Sequence, residues 1–175
     1  MANDSSNFLT RWAQRTVGFS LSKGEQILYT NESVIVIGED NVPNWVVATY
    51  DFNPTMLSTN LQIQLNRIHS LIMNEAGTDA MATFNQIPSW VNHFEGLKSL
   101  SLQNADLTNL ALCWGFPISY LDLRVAKYVD SSSLVETILS LKDLELFIYD
   151  NSFSEEVIST LKERLPKVNF IKKGK

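Results

Sequence analysis

Few side chains in this sequence are of the types that ordinarily do chemistry. There are two histidines, His69 and His93, and one cysteine, Cys113. A histidine serves as a general base when a second group orients its ring and a reacting atom lies within hydrogen-bond reach. His69 falls on the outward side of a strand-like run, with Ser70 beside it pointing the other way, and no motif supplies a carboxylate to orient it. His93, between Trp90 and Phe94, reads as a partly buried structural residue. Cys113, in the apolar string LCWGF, reads as a small hydrophobe rather than a nucleophile. Asp143 and Glu145 are spaced like paired carboxylates, yet strand alternation puts both on one open surface, whereas glycoside hydrolysis needs a substrate groove between such groups. No nucleophile-elbow, zinc-protease, phosphate-loop or dinucleotide-binding pattern occurs. The expectation is a protein without catalytic residues, metal or cofactor. An enzyme with its site in the N-terminal region is the alternative left open.

Composition narrows the class. With 45% hydrophobic and 19% charged residues the chain can bury a core and is not of the disordered type. One cysteine excludes an internal disulfide framework and any multi-cysteine metal site, so a reducing compartment fits best. The opening MANDSSNFLTRWAQR lacks the apolar centre of a signal peptide, and no apolar run reaches the roughly 18 residues a membrane span needs. A cytoplasmic location is therefore expected. The net charge of -5 disfavours a broad nucleic-acid footprint and favours basic partners.

Elements that could position a site follow from the pattern. Ser5 or Ser6 could cap a short helix with Phe8, Leu9, Trp12 and Ala13 on one side. Glu25 to Gly38 reads as strand, turn and the β-branched strand Val34-Ile35-Val36-Ile37, and Trp45 to Phe52 as a further β-rich run, together a hairpin or small meander. Over Thr55 to Arg67 two periods compete, and a helix leading into Ile68 is preferred. Ser133 with Glu136 suggests a capping box before Leu134, Val135, Ile138 and Leu139. Ser154 with Glu155 and Glu156 opens a helix that carries Val157, Ile158, Leu161 and Leu165 inward and stops at Pro166. The lysines after Ile171 would blunt the last edge of a sheet.

A longer pattern ties these pieces together. Leu97-x-x-Leu100-x-Leu102 has counterparts in Ile68/Leu71/Met73, Ile118/Leu121/Leu123, Leu141/Leu144/Leu146 and Leu165/Val168/Phe170, at intervals of roughly 20 to 29 residues. Ile87-Pro88 and Trp90 precede the central copy, and Ala76, Ala105 and Ala126 recur at its ninth position, where Tyr149 departs from the pattern and reads as more exposed. Over residues 68–171 the chain resembles leucine-rich-repeat proteins. The resemblance implies an α/β fold: a short solenoid over 61–175 with parallel strands on a concave face and helices on the convex face, behind an N-terminal α+β cap over 1–60. Stacking the repeats in this frame gives columns about 4.8 Å apart. One holds Ile72, Ser101, Asp122, Glu145 and Asn169, the next Ser70, Ser99, Tyr120, Asp143 and Lys167, and a third Asn74, Gln103, Arg124, Phe147 and Ile171. Tyr120, Asp122, Arg124, Asp143, Glu145 and Phe147 then form an aromatic and acidic surface suited to a basic protein partner, since aromatics anchor and carboxylates select cations. Such repeats are mostly binding surfaces, so an adaptor or effector-like binding module is expected. By its small, acidic profile the chain also resembles bacterial immunity or antitoxin proteins, which would make the partner a basic toxin domain.

Overall fold

The computed structural model describes residues 23–29, 33–48, 52–73, 89–102, 115–124 and 131–174. These form an α/β structure around one eight-stranded sheet whose strands lie in chain order and which does not close into a barrel. The strands are β1 (Gln26–Tyr29), β2 (Ser33–Ile37), β3 (Pro43–Ala48), β4 (Ser70–Met73), β5 (Ser99–Leu102), β6 (Tyr120–Asp122), β7 (Leu146–Tyr149) and β8 (Asn169–Lys172). The helices are α1 (Thr59–Gln62), α2 (Ser131–Ser140) and α3 (Glu155–Arg164).

β1, β2 and β3 pair antiparallel, the meander expected from their β-branched runs. A two-residue turn is enough to reverse a strand, whereas parallel neighbours need a long return connection. From β3 onward every pairing is parallel, with a return connection between each strand and the next. A backbone ladder continues beneath the strands. His69 N donates to Asn44 O, Ser99 N to His69 O, Tyr120 N to Lys98 O, Leu146 N to Ser119 O and Asn169 N to Glu145 O. Each parallel strand is thus tied to the one before it by backbone bonds that precede the paired register.

One face of the sheet is covered. Leu71, Met73, Leu100, Leu102, Leu121, Leu123, Phe147 and Tyr149 join Leu134, Val135 and Ile138 of α2 and Val157, Ile158 and Leu161 of α3 in a single core. Each such side chain contributes on the order of 1.5–3 kcal/mol when withdrawn from water. Between β4 and β5 the described part of the connection holds a 3-10 turn, Ser89–His93, and Val91 and Phe94 enter the same core. Trp90 there meets Phe52 and Phe94 edge-on, with centroids 5.1 and 5.8 Å away. The segments that lead into β4 and β5 approach closely at Gly96, where an added Cβ would strike the carbonyl oxygen of Asn66.

α3 follows its sequence signals. The Ser154 hydroxyl accepts from Val157 N at 3.3 Å, Glu155 and Glu156 lie in the first turn, and Lys162 and Arg164 lie in the last. α2 begins two residues before Ser133, so Ser133 does not cap it, and Glu136 instead pairs with Arg164 of α3 at 3.0 Å. Thr55 to Arg67 is not one helix but short turns at Pro54–Met56 and Leu65–Arg67 on either side of α1. The competing periods over that stretch leave no single apolar stripe to bury. His93 is exposed rather than partly buried. The expected N-terminal helix, the Ile87-Pro88 pair, the ninth-position alanines, Asn74, Gln103 and Cys113 lie outside the described residues.

The register corrects two repeat assignments. β4, β5 and β6 align as expected, Leu71 with Leu100 and Leu121. In β7, however, Leu121 pairs with Phe147, not Leu144. The repeat is therefore Leu144-x-x-Phe147-x-Tyr149, three residues later than Leu141/Leu144/Leu146. An odd slip exchanges the two faces of a strand. Phe147 consequently points into the core at 0% exposure and stacks on Tyr149 at 5.9 Å, with Phe153 and Phe170 edge-on at 5.6 and 5.7 Å. Tyr149 is buried with it, contrary to the exposed position expected. In β8 Phe147 pairs with Phe170, a slip of two from the expected Val168, which leaves the faces unchanged.

Candidate functional site

The other face of the same strands is built from different residues. Ile72, Ser101, Asp122 and Ile148 are buried but stand outside the hydrophobic core. Next to them the paired register lines up Trp45, Ser70, Ser99, Tyr120, Leu146 and Asn169 in a row across six strands. Serines on two adjacent strands leave a depression between Trp45 on β3 and Tyr120 on β6, positions about 14 Å apart at three strand spacings. The depression is a half-open groove of about 410 Å³, lined among the described residues by these four and by His69, Ile72, Ser101, Asp122, Arg124 and Lys173.

An ion pair closes the C-terminal end of the groove. Arg124 follows Asp122 by two residues, so alternation keeps both side chains on one side. Its Nε donates to both carboxylate oxygens at 2.9 and 3.1 Å, and its Nη2 donates to Oδ2 at 2.8 Å. The Asp122 side chain is 3% exposed and that of Arg124 27%, so the guanidinium forms a partly wet lid over a dry carboxylate. A buried carboxylate without such a partner would be costly. The hydrogen bond that Arg124 donates to Asp122 holds the Arg124 pKa above its usual value despite burial, with Tyr120 and Asp150 adding in the same direction. Burial raises the Tyr120 phenol, the Asp122 charge raises it further, and Arg124 opposes. Tyr120 is thus a neutral hydrogen-bonding phenol throughout the physiological range.

Of the six residues singled out from the sequence, the structure brings Tyr120, Asp122 and Arg124 together at this groove. Phe147 belongs to the core. Asp143 and Glu145 are exposed and precede β7 rather than lying on it, because the slip moves that strand three residues along the chain. The expected acidic cluster of Asp122 and Glu145 in one column with Asp143 in the next is therefore not formed: Ile148 stands beside Asp122 where Glu145 is expected. Trp45 and Lys173 were not among the expected residues. Trp45 was legible as part of a strand, but its parallel pairing with β4 joins residues of unlike pattern, and Lys173 entered once the β8 register was known. Ser70, Ser99 and Ser101 were in the expected columns, where only their smallness signalled a depression.

Chemically the groove offers aromatic walls, hydroxyl groups and a held guanidinium. Both oxygens of Asp122 accept from Arg124, so this carboxylate is not placed to orient His69. Among the described residues no three His, Cys, Asp or Glu side chains are grouped to hold a metal ion, and no helix is long and apolar enough to cross a membrane. No protein-family model and no curated protein matches the sequence.

Proposed function

We propose that the protein is a non-catalytic binding module of leucine-rich-repeat type, a short solenoid that docks a protein partner on the open face of its sheet. The observation that carries this is the in-register row Trp45-Ser70-Ser99-Tyr120: two aromatic walls around a floor of small residues, beside a buried ion pair. Aromatic side chains give large contact area at small entropic cost, and a depression between them accepts an anchoring side chain. The repeated ladder and the chain-order parallel strands support the solenoid reading.

The overall charge of -5 supports a partner with a basic surface at long range. The version in which that partner is a basic toxin domain rests on the same charge and differs only in the partner's activity. A direct test is affinity purification from the native host with wild type, with Ser99→Trp, which fills the groove, and with Glu136→Gln on the helical side. A stoichiometric protein present with wild type and E136Q and missing with a folded S99W is expected. Its retention by S99W would remove the open face from consideration.

A further inference from the structure

The groove differs in charge from the chain that bears it. The whole protein carries a net charge of -5, yet among the described residues the groove lining holds one carboxylate, Asp122, against two permanent cations, Arg124 and Lys173. That carboxylate is spent internally, since Arg124 takes both its oxygens. The pairing uses Nε and Nη2, so among the described residues the Nη1 edge of the guanidinium is left for another acceptor, and the Asp122 clamp fixes its direction. Among the described residues Lys173 makes no ion pair, and its backbone N is tied to Tyr149 O at 2.9 Å. Among the described residues Asp150 is a further acid felt by Arg124, and its Oδ1 accepts from Ser152 N at 2.9 Å and Ser152 Oγ at 2.6 Å in its own loop.

From this we infer that the groove selects an acidic side chain, a partner aspartate or glutamate presented beside an aromatic or aliphatic neighbour. The carboxylate meets Arg124 Nη1 and Lys173, and the apolar neighbour lies over Ser70 and Ser99 between Trp45 and Tyr120. An arginine held by a buried carboxylate is already desolvated on one edge and restricted in rotamer, so binding an anion there costs little further ordering. The neutral phenol of Tyr120 can donate to the same carboxylate. This inference rests on the binding reading above and adds the sign of the anchoring charge, which is opposite to the one that the overall acidity suggests.

The test uses three small probes of one shape and different charge: hydrocinnamate, its primary amide, and phenylpropylamine, each titrated into isotope-labelled full-length protein by NMR. Hydrocinnamate is expected to shift the amides of Ser70, Ser99 and Tyr120, with the amide and amine binding about tenfold more weakly, the scale of one charge-assisted hydrogen bond. Lys173→Gln, an exposed change that leaves the core intact, should weaken hydrocinnamate by roughly threefold or more. Arg124→Lys should weaken it further while keeping the charge, because a lysine cannot hold Asp122 bidentately and face the ligand as well. Equal or tighter binding of the amine at the same residues would overturn the anionic preference and leave the groove reading standing. No shift at those residues with any probe would overturn both.

Discussion

The two faces of strands β4 to β7 use the same backbone for opposite purposes. On the covered face Leu71, Leu100, Leu121 and Phe147 fill successive rungs with large apolar groups in the core that α2 and α3 also enter. On the open face the neighbouring residues Ile72, Ser101, Asp122 and Ile148 vary in size and polarity from strand to strand. The covered face is uniformly apolar, because its side chains share one core with α2 and α3. The open face has no such constraint, so the covered face supplies rigidity and the rows on the open face supply chemical identity.

That contrast can be broken in order of expected effect. Phe147→Ala, which removes the ring meeting Tyr149, Phe153 and Phe170, should cost about 3–5 kcal/mol in urea denaturation. A cost below 1 kcal/mol would show that the covered face is not the source of stability.

Next in size is the ion pair. Arg124→Met leaves the Asp122 carboxylate buried and unpaired and should destabilise by about 1–3 kcal/mol. Adding Asp122→Leu to that variant should recover much of the loss, because replacing both members of a buried pair is often neutral. Failure of the double variant to recover would mean that the pair itself supports the fold.

A pH measurement sharpens the comparison at a single residue. The Tyr120 pKa is raised above 10.0 in the folded protein, so its contribution is fully present below pH 10 and is lost as pH rises through the folded value. Alkaline unfolding should begin earlier in wild type than in Tyr120→Phe, and identical alkaline midpoints would dismiss the effect. Smallest of all, Ser99→Ala on the groove floor should change stability by no more than about 0.5 kcal/mol. A larger change, measured in the same denaturation, would give the open face a structural role.

Where the sequence was legible, one pattern outweighed its rivals. Ile68/Leu71/Met73, Leu97/Leu100/Leu102 and Ile118/Leu121/Leu123 each allow one frame that buries apolar side chains, and the observed register uses it. Leu141 to Tyr149 allows two, since Leu144 serves either as the middle of one pattern or the start of the next. The frame that wins buries Phe147 among Tyr149, Phe153 and Phe170, contacts with residues distant in the chain as well as near. Only the odd slip, in β7, exchanged the faces of a strand, and it moved half of the expected site off the open face.

The amino-acid order alone determined that the chain would form an α/β structure with recurring parallel strands, because an apolar pattern of fixed spacing can be buried in few other ways. It also fixed the cap of α3, a local bond between a hydroxyl and an amide three residues away. Only the tertiary structure decided which residues share the groove. Trp45, Ser99 and Tyr120 come from three strands and Lys173 directly follows a fourth, and their meeting depends on inter-strand register, which is set by the packing of the whole core rather than by any one segment.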